Sequence, residues 1–105
     1  MASKKIGKQT FALCNPPSIA GHANVVGPTE GDGPLKDSFD VISPDASLGE
    51  RSWEKAEVEM QKRALAAALE KAKQTTSVLD FLFAGDLLNQ CISAGYAARS
   101  AGVPF

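Results

Sequence analysis

The apolar positions between residues 52 and 73 recur about every 3.6 residues, the spacing of an α-helix. Ser52 precedes the repeat, as an N-cap residue does, and Glu54 falls in the first turn, where a carboxylate complements the helix dipole. The pattern predicts a helix over 52–73. Its wide, alanine-rich apolar arc favours a helix packed on a sheet and touched by a second element, over a plain amphipathic surface helix. One line of that arc consists of Trp53, Ala56, Met60, Ala64 and Ala67.

Residues 78–83 form a nearly continuous apolar run that only Asp80 interrupts, and Gly85 follows it. Such a run is typical of a central parallel strand buried on both faces, so a buried strand is predicted over 78–84. Asp86 then opens a second helix, predicted over 86–101. This helix is expected to stop at Gly102, because glycine is favoured just past a helix end.

Residues 1–50 lack the long periodic stretches of the second half. Glycine and proline recur through them and leave room for short extended pieces only, with strands predicted at 6–13 and 22–26. Residues 27–34 contain three glycines and two prolines, a density that predicts a surface loop with neither a helix nor a strand ladder. The first 50 residues are therefore expected to be extended and loop-rich.

The predicted order of strands, helix, buried strand and helix indicates an α/β fold that is short of sheet. A parallel strand that is apolar on both faces needs hydrogen-bonded neighbours, and the first half offers few. Residues 103–105 are predicted to begin a further strand. We therefore expect residues 1–105 to be an incomplete domain, the front part of a larger one from a truncated or split gene, which associates or is partly molten in isolation.

Charge and composition exclude several classes of protein. The chain has 105 residues, 11 lysines and arginines, 12 aspartates and glutamates, and a formal net charge of −1. Without a basic block beyond Lys4, Lys5 and Lys8, it lacks the electrostatic footprint of a nucleic-acid-binding protein. The start has no apolar core of a secretory signal, and no apolar window spans about 30 Å of hydrocarbon. An intracellular protein is expected, with Cys14 and Cys91 as free thiols.

Few side chains suit catalysis or metal binding. His22 is the single histidine, so no site that needs two imidazoles can form. Neither cysteine has a base beside it in the sequence, and Cys91 is predicted to lie well inside the second helix, away from its N-terminus. Both thiols are expected to be structural. The acidic residues of the first half miss the spacing of an EF-hand and are expected in solvated loops; they are Glu30, Asp32, Asp37, Asp40 and Asp45.

Asp86 is the most informative position for function. It lies where the carboxyl end of a predicted strand passes into a helix, the place at which open α/β sheets bind ligands. The alternative is that Asp86 only caps the helix. A capping carboxylate would repel a second anion at that helix N-terminus unless a cation came with it.

An ordered set of short motifs resembles the stage V sporulation protein AD family over nearly the whole chain. The most specific is the seven-residue string from Ala84 to Gln90. The weaker motifs are Gly7-Lys8-Gln9-Thr10, Gly27-Pro28 with Gly31, Gly33-Pro34-Leu35, Phe39-Asp40, and Trp53-Glu54 with Ala56-Glu57. The resemblance implies an α/β fold class, namely an N-terminal fragment of a thiolase-like layered αβαβα fold, with residues 1–105 as the N-terminal portion of that domain.

The resemblance also implies binding rather than catalysis. Family members bind pyridine-2,6-dicarboxylic acid (dipicolinic acid), alone or as its calcium chelate, and help to move it into the forming spore with membrane proteins of the same operon. It implies a place in the forespore or spore interior, peripheral to the spore inner membrane, without a cofactor. A second copy of the chain is a further candidate partner. Asp86 and Asn89 are the candidate ligand-binding residues, and no residue is assigned to catalysis or to a resident metal.

Two alternatives from other classes stay open. The first is an acyl-transfer enzyme of the thiolase or ketoacyl-synthase type, which would need downstream histidines and a nucleophilic cysteine whose position in the family falls just beyond Phe105. The second is an assembly module without affinity for small molecules. Titration with dipicolinate and calcium separates this second alternative from the binding protein.

Overall fold

The structure, a computed structural model, describes residues 3–88 and 91–104. Over these ranges the chain is mixed α/β, with two small two-stranded sheets, and the predicted fold class is confirmed. No helix in the described part is both long and apolar enough to cross a bilayer. The elements are β1 (Ser3–Ile6), β2 (Thr10–Leu13), β3 (Val25–Val26), α1 (Pro28–Gly31), β4 (Val41–Ile42), α2 (Trp53–Ala72) and α3 (Ile92–Ala101), with 3-10 turns at Lys36–Ser38 and Thr76–Val78.

Helix α2 confirms the prediction for 52–73. Ser52 has extended backbone angles, and its hydroxyl accepts a hydrogen bond from the N–H of Lys55 at 3.2 Å, which satisfies one of the free amides at the helix start. The helix ends at Lys73, whose backbone is left-handed with φ of 56°. Its 20 residues extend about 30 Å, so its two ends contact different parts of the fold.

The core lies mainly where α3 packs against α2. The buried side chains there are small, which lets the two helices approach closely but removes little apolar area from water. The hydroxyl of Ser93 also reaches the carbonyl of Glu54 at 3.4 Å, joining the starts of the two helices. The buried residues of α3 are Ser93, Ala94, Ala97 and Ala98, and Leu48, Ala56 and Val103 complete the apolar core of the described residues.

Helix α3 is shorter than predicted, so the predicted start at 86 is wrong. It begins at Ile92, and its N-cap residue Cys91 has a left-handed backbone with φ of 75°. Residues 86–88 are not helical, and the Asp86 carboxylate instead accepts hydrogen bonds from two amides at the helix start. The predicted end is confirmed: Gly102 is left-handed with φ of 70° and donates to the carbonyl of Ala98 at 3.0 Å.

The buried strand predicted over 78–84 is absent. A 3-10 turn at Thr76–Val78 is followed by irregular chain, in which Phe81 is 72% and Phe83 is 92% exposed. The physical reason is the lack of neighbouring strands, since a strand needs hydrogen-bonded partners along its edges. Within the described residues, this segment makes one ladder-like bond, from the N–H of Leu82 to the carbonyl of Pro104 at 2.8 Å.

The N-terminal half departs from the prediction in three places. The predicted strand 6–13 is part of a hairpin instead, in which β1 and β2 pair antiparallel around a turn at Gly7, whose φ is 68°. The predicted strand 22–26 is reduced to β3, which pairs in parallel with β4. Residues 27–34 do hold a helical turn, α1, because proline at its first position has no N–H to lose there.

A polar cluster ties β3 and β4 to the far end of α2. Asn24 and Asp40 bond reciprocally: the N–H of Asn24 donates to the Asp40 carboxylate at 2.9 Å, and the N–H of Asp40 donates to the Asn24 side-chain oxygen at 2.8 Å. The ammonium group of Lys71 on α2 pairs with the same carboxylate. Gly21 packs against α2 at the same end of the helix. A Cβ at this position would lie 3.0 Å from the carbonyl oxygen of Ala68.

We expect the Asp40 cluster to make stability depend on acid. The Lys71 ion pair and the Asn24 N–H hold the pKa of the Asp40 carboxyl below its ordinary value. A carboxyl with a lowered pKa contributes stability that is present above its unfolded pKa and lost as the pH falls through its folded pKa. The midpoint of urea denaturation should therefore hold from neutral pH to about pH 5 and fall below about pH 4.

The variant Asp40→Asn should lose part of this acid dependence, because the amide keeps an acceptor for Asn24 but has no charge for Lys71. Asp37→Asn, a change of the same chemistry in the exposed 3-10 turn, serves as the matched control and should keep the wild-type profile. Identical acid profiles for wild type and Asp40→Asn would show that the cluster does not carry this dependence.

Candidate functional site

The Asp86 carboxylate binds the start of helix α3. Its Oδ1 accepts the N–H of Cys91 and its Oδ2 accepts the N–H of Ala94, both at 2.9 Å. Two amides that the helix cannot satisfy internally are thus bonded by one side chain, and the negative charge lies at the positive end of the helix dipole. Asp86 therefore caps α3, as the structural alternative predicted, but from five residues before the N-cap position.

The cap decides which ligands can approach this helix start. With the Asp86 carboxylate already on the amides, a second anion meets a negative charge instead of free donors. The same negative charge attracts a cation. The other predicted ligand-binding residue, Asn89, lies outside the described residues.

Cys91 lies at the N-cap of α3, so the prediction that it lies well inside the helix is wrong. Cys14 and Cys91 are free thiols, as predicted, and both are exposed. His22 is not beside Cys91, because Gly21 contacts Ala68 and Ala72 near the end of α2 whereas Ser93 contacts Glu54 at its start. These ends are separated by roughly 25 Å along the helix, so the structure does not bring Cys91 and His22 together.

A cleft of about 700 Å³ opens between the starts of α2 and α3. Its size is in the range of small-molecule sites, and its lining mixes acidic, basic and hydroxyl side chains with one aromatic ring. The sequence did not indicate it, because the cleft depends on how the two helices pack. The alanine-rich arc of α2 predicted only that a second element touches this helix. The charged and aromatic residues of the lining are Glu50, Glu54, Lys55, Glu59, Lys62 and Tyr96, and Val58 and Ile92 add apolar surface.

The described residues contain no preformed cation site at the cleft or the cap. Among residues 3–88 and 91–104, no three acidic, cysteine or histidine side chains converge in a way that would hold a metal ion. The carboxylate of Asp45, one of the acidic residues of the first half, serves a turn: it accepts the N–H groups of Ser47 at 3.0 Å and Gly49 at 2.9 Å. These bonds and the Ser47 hydroxyl lower the pKa of the Asp45 carboxyl.

Comparison with known proteins gives one family. The family model described as stage V sporulation protein AD matches residues 7–105. The chain is similar to a curated protein of Bacillus subtilis (strain 168) named stage V sporulation protein AD, with 39% identity over 102 residues. The match covers 97% of this chain and 30% of that relative, so the chain spans less than a third of the relative's length.

Proposed function

Because the chain belongs to the stage V sporulation protein AD family, a family of sporulation proteins, we propose that it binds dipicolinic acid and assists its uptake into the developing spore. The observation that carries the proposal is the match across residues 7–105 at 39% identity. The proposed partners are membrane proteins of the same sporulation operon. The proposed place is the forespore or spore interior, peripheral to the spore inner membrane.

The electrostatics of the described residues favour the calcium chelate over the free ligand. Free dipicolinate carries two carboxylates, and it would approach a chain of net charge −1 whose α3 start already holds the Asp86 carboxylate. Calcium neutralises the ligand. Calcium takes about six to eight oxygen ligands, more than one dipicolinate supplies, so a protein carboxylate can complete its coordination. The cation would then arrive with the ligand rather than occupy a resident site.

Titration calorimetry of the chain tests this proposal. We expect binding of calcium dipicolinate, weaker binding of metal-free dipicolinate, and no heat above dilution with benzoate, which keeps an aromatic carboxylate but cannot chelate. Circular dichroism of the same sample confirms that the chain is folded. Absence of binding to both forms of dipicolinate by folded chain would refute the proposed ligand and favour an assembly module without small-molecule affinity.

The acyl-transfer alternative rests on one observation, the exposed thiol of Cys91 at a helix start. Turnover needs a base to activate the thiol and later to protonate the leaving group. The single histidine, His22, follows Gly21, which contacts the opposite end of α2 from Cys91. We therefore propose a binding protein rather than an enzyme. Hydrolysis and thiolysis of coenzyme A thioesters should run at the background rate.

Cys91→Ala and Cys14→Ala should leave that background rate unchanged in a thiol-release assay. Turnover above background that Cys91→Ala abolishes and Cys14→Ala preserves would identify Cys91 as a nucleophile and overturn the assignment. Cys14 is the matched control, since it is also an exposed free thiol.

A further inference from the structure

Large apolar side chains stand in solvent along the segment that leads into α3. Phe83 is 92% exposed, and its neighbours Phe81, Leu87 and Leu88 are exposed as well. A single exposed apolar residue needs no explanation, but a run of them marks a surface that another element covers. The run coincides with the segment whose sequence is typical of a strand buried on both faces.

One hydrogen bond shows how this segment would enter a sheet. The N–H of Leu82 donates to the carbonyl of Pro104 at 2.8 Å, so the chain before α3 contacts the chain after it at this point. The two strands of a strand–helix–strand unit are neighbours in the same way. Successive N–H groups of an extended segment point to opposite sides. Those of Phe81 and Phe83 therefore face the other edge, and neither makes a backbone hydrogen bond within the described residues.

We propose that residues 79–84 are a docking strand for the part of the family domain that this chain does not span, and that the chain binds that part when it is supplied as a separate polypeptide. The match covers 30% of the Bacillus subtilis relative and so leaves about 70% of it outside. That remainder is long enough to supply the neighbouring strands and the layer that covers Phe81 and Phe83. Strand addition of this kind takes its affinity from backbone hydrogen bonds and its specificity from the side-chain pockets.

A second copy of the chain fits this edge less well. Two identical strands related by a two-fold axis run antiparallel. The Leu82–Pro104 bond joins segments on either side of one helix, and in α/β sheets such a connection joins parallel strands. A run that is apolar on both faces is also typical of parallel sheets. The remainder of the family domain is therefore the occupant.

Co-production tests the proposal. The tagged chain is made in one cell with the Bacillus subtilis relative from which the matched region has been deleted, and the purified material is analysed by size exclusion with light scattering. We expect a one-to-one complex. Amide hydrogen exchange should be fast over 79–84 in the chain alone and slow in the complex.

Two aspartate variants give the matched comparison. Phe83→Asp places a charge where the partner should cover the ring, and it should lower the yield of complex by at least about tenfold. Ile19→Asp places the same charge at a side chain that is 87% exposed in an irregular segment, and it should leave the yield unchanged. Both sites are exposed, so circular dichroism of either variant should match that of the wild type.

Three results would overturn the proposal. The first is a truncated relative that stays insoluble or unbound in the presence of the chain. The second is a complex that Phe83→Asp and Ile19→Asp affect equally. The third is self-association of the chain that Phe83→Asp abolishes, which would make a second copy the occupant.

Discussion

Replacement of Ala94 by leucine is expected to separate helix α3 from helix α2. Ala94 is 0% exposed, and its methyl group lies where the small side chains of the helix pair let the backbones approach closely. An isobutyl group cannot fit there without moving a helix, and overpacking of this kind costs about 2 kcal/mol or more. For a chain of 105 residues this lowers the thermal midpoint by roughly 10 °C.

The matched control is Ala66→Leu, the same substitution at an exposed position of α2. It should shift the midpoint of the helical circular dichroism signal by little, because leucine is also a good helix former and the position is open to solvent. Equal midpoints for Ala94→Leu and Ala66→Leu would show that the alanine contact between α2 and α3 is not the main source of stability.

The Asp86 variants carry the second large effect, since one side chain serves two amides of α3. Asp86→Ala removes both bonds and should cost about 2 kcal/mol. Asp86→Asn keeps one acceptor oxygen, but its amide nitrogen cannot accept the second N–H. It should cost about 1 kcal/mol, or roughly half the shift in thermal midpoint. Thermal unfolding followed by circular dichroism measures both.

The same variants test whether Asp86 also meets the ligand. If its carboxylate completes the calcium coordination of the chelate, Asp86→Asn should weaken binding of calcium dipicolinate more than binding of the metal-free ligand. Asparagine has nearly the size and shape of aspartate, so the variant mainly removes the negative charge. Equal affinities of wild type and Asp86→Asn for each form would leave Asp86 as a helix cap alone. Asp37→Asn, an exposed carboxylate elsewhere in the chain, should change neither affinity.

Local signals in the sequence were enough to predict helix α2 and the end of α3. The start of α2 depends on the hydroxyl of Ser52, and the end of α3 on the left-handed backbone of Gly102; neighbouring residues decide both. Helix α1 was missed for an equally local reason. The count of glycines and prolines in 27–34 predicts a loop without a helix, although proline at a first helical position is compatible with one.

The strand at 78–84 was wrongly predicted because its conformation is not local. An apolar run becomes a strand only when neighbours satisfy its backbone on both edges, and the described residues supply the bond from Leu82 to Pro104. The same limit applies to the site. A helix cap is one of the two roles that the sequence indicates for Asp86, but the reach of its carboxylate to Cys91 and Ala94 depends on the path of the chain between them. The cleft beside Tyr96 depends on helix packing.

The dipicolinate content of spores tests the proposed function most directly. The coding sequence of this chain is deleted from a sporulating strain that carries it, and the dipicolinate released from purified spores is measured against the parent and against a strain complemented with the wild-type sequence. We expect a severalfold lower content in the deletion strain and recovery on complementation. Spores of the deletion strain with the parental content of dipicolinate would contradict a role in its uptake.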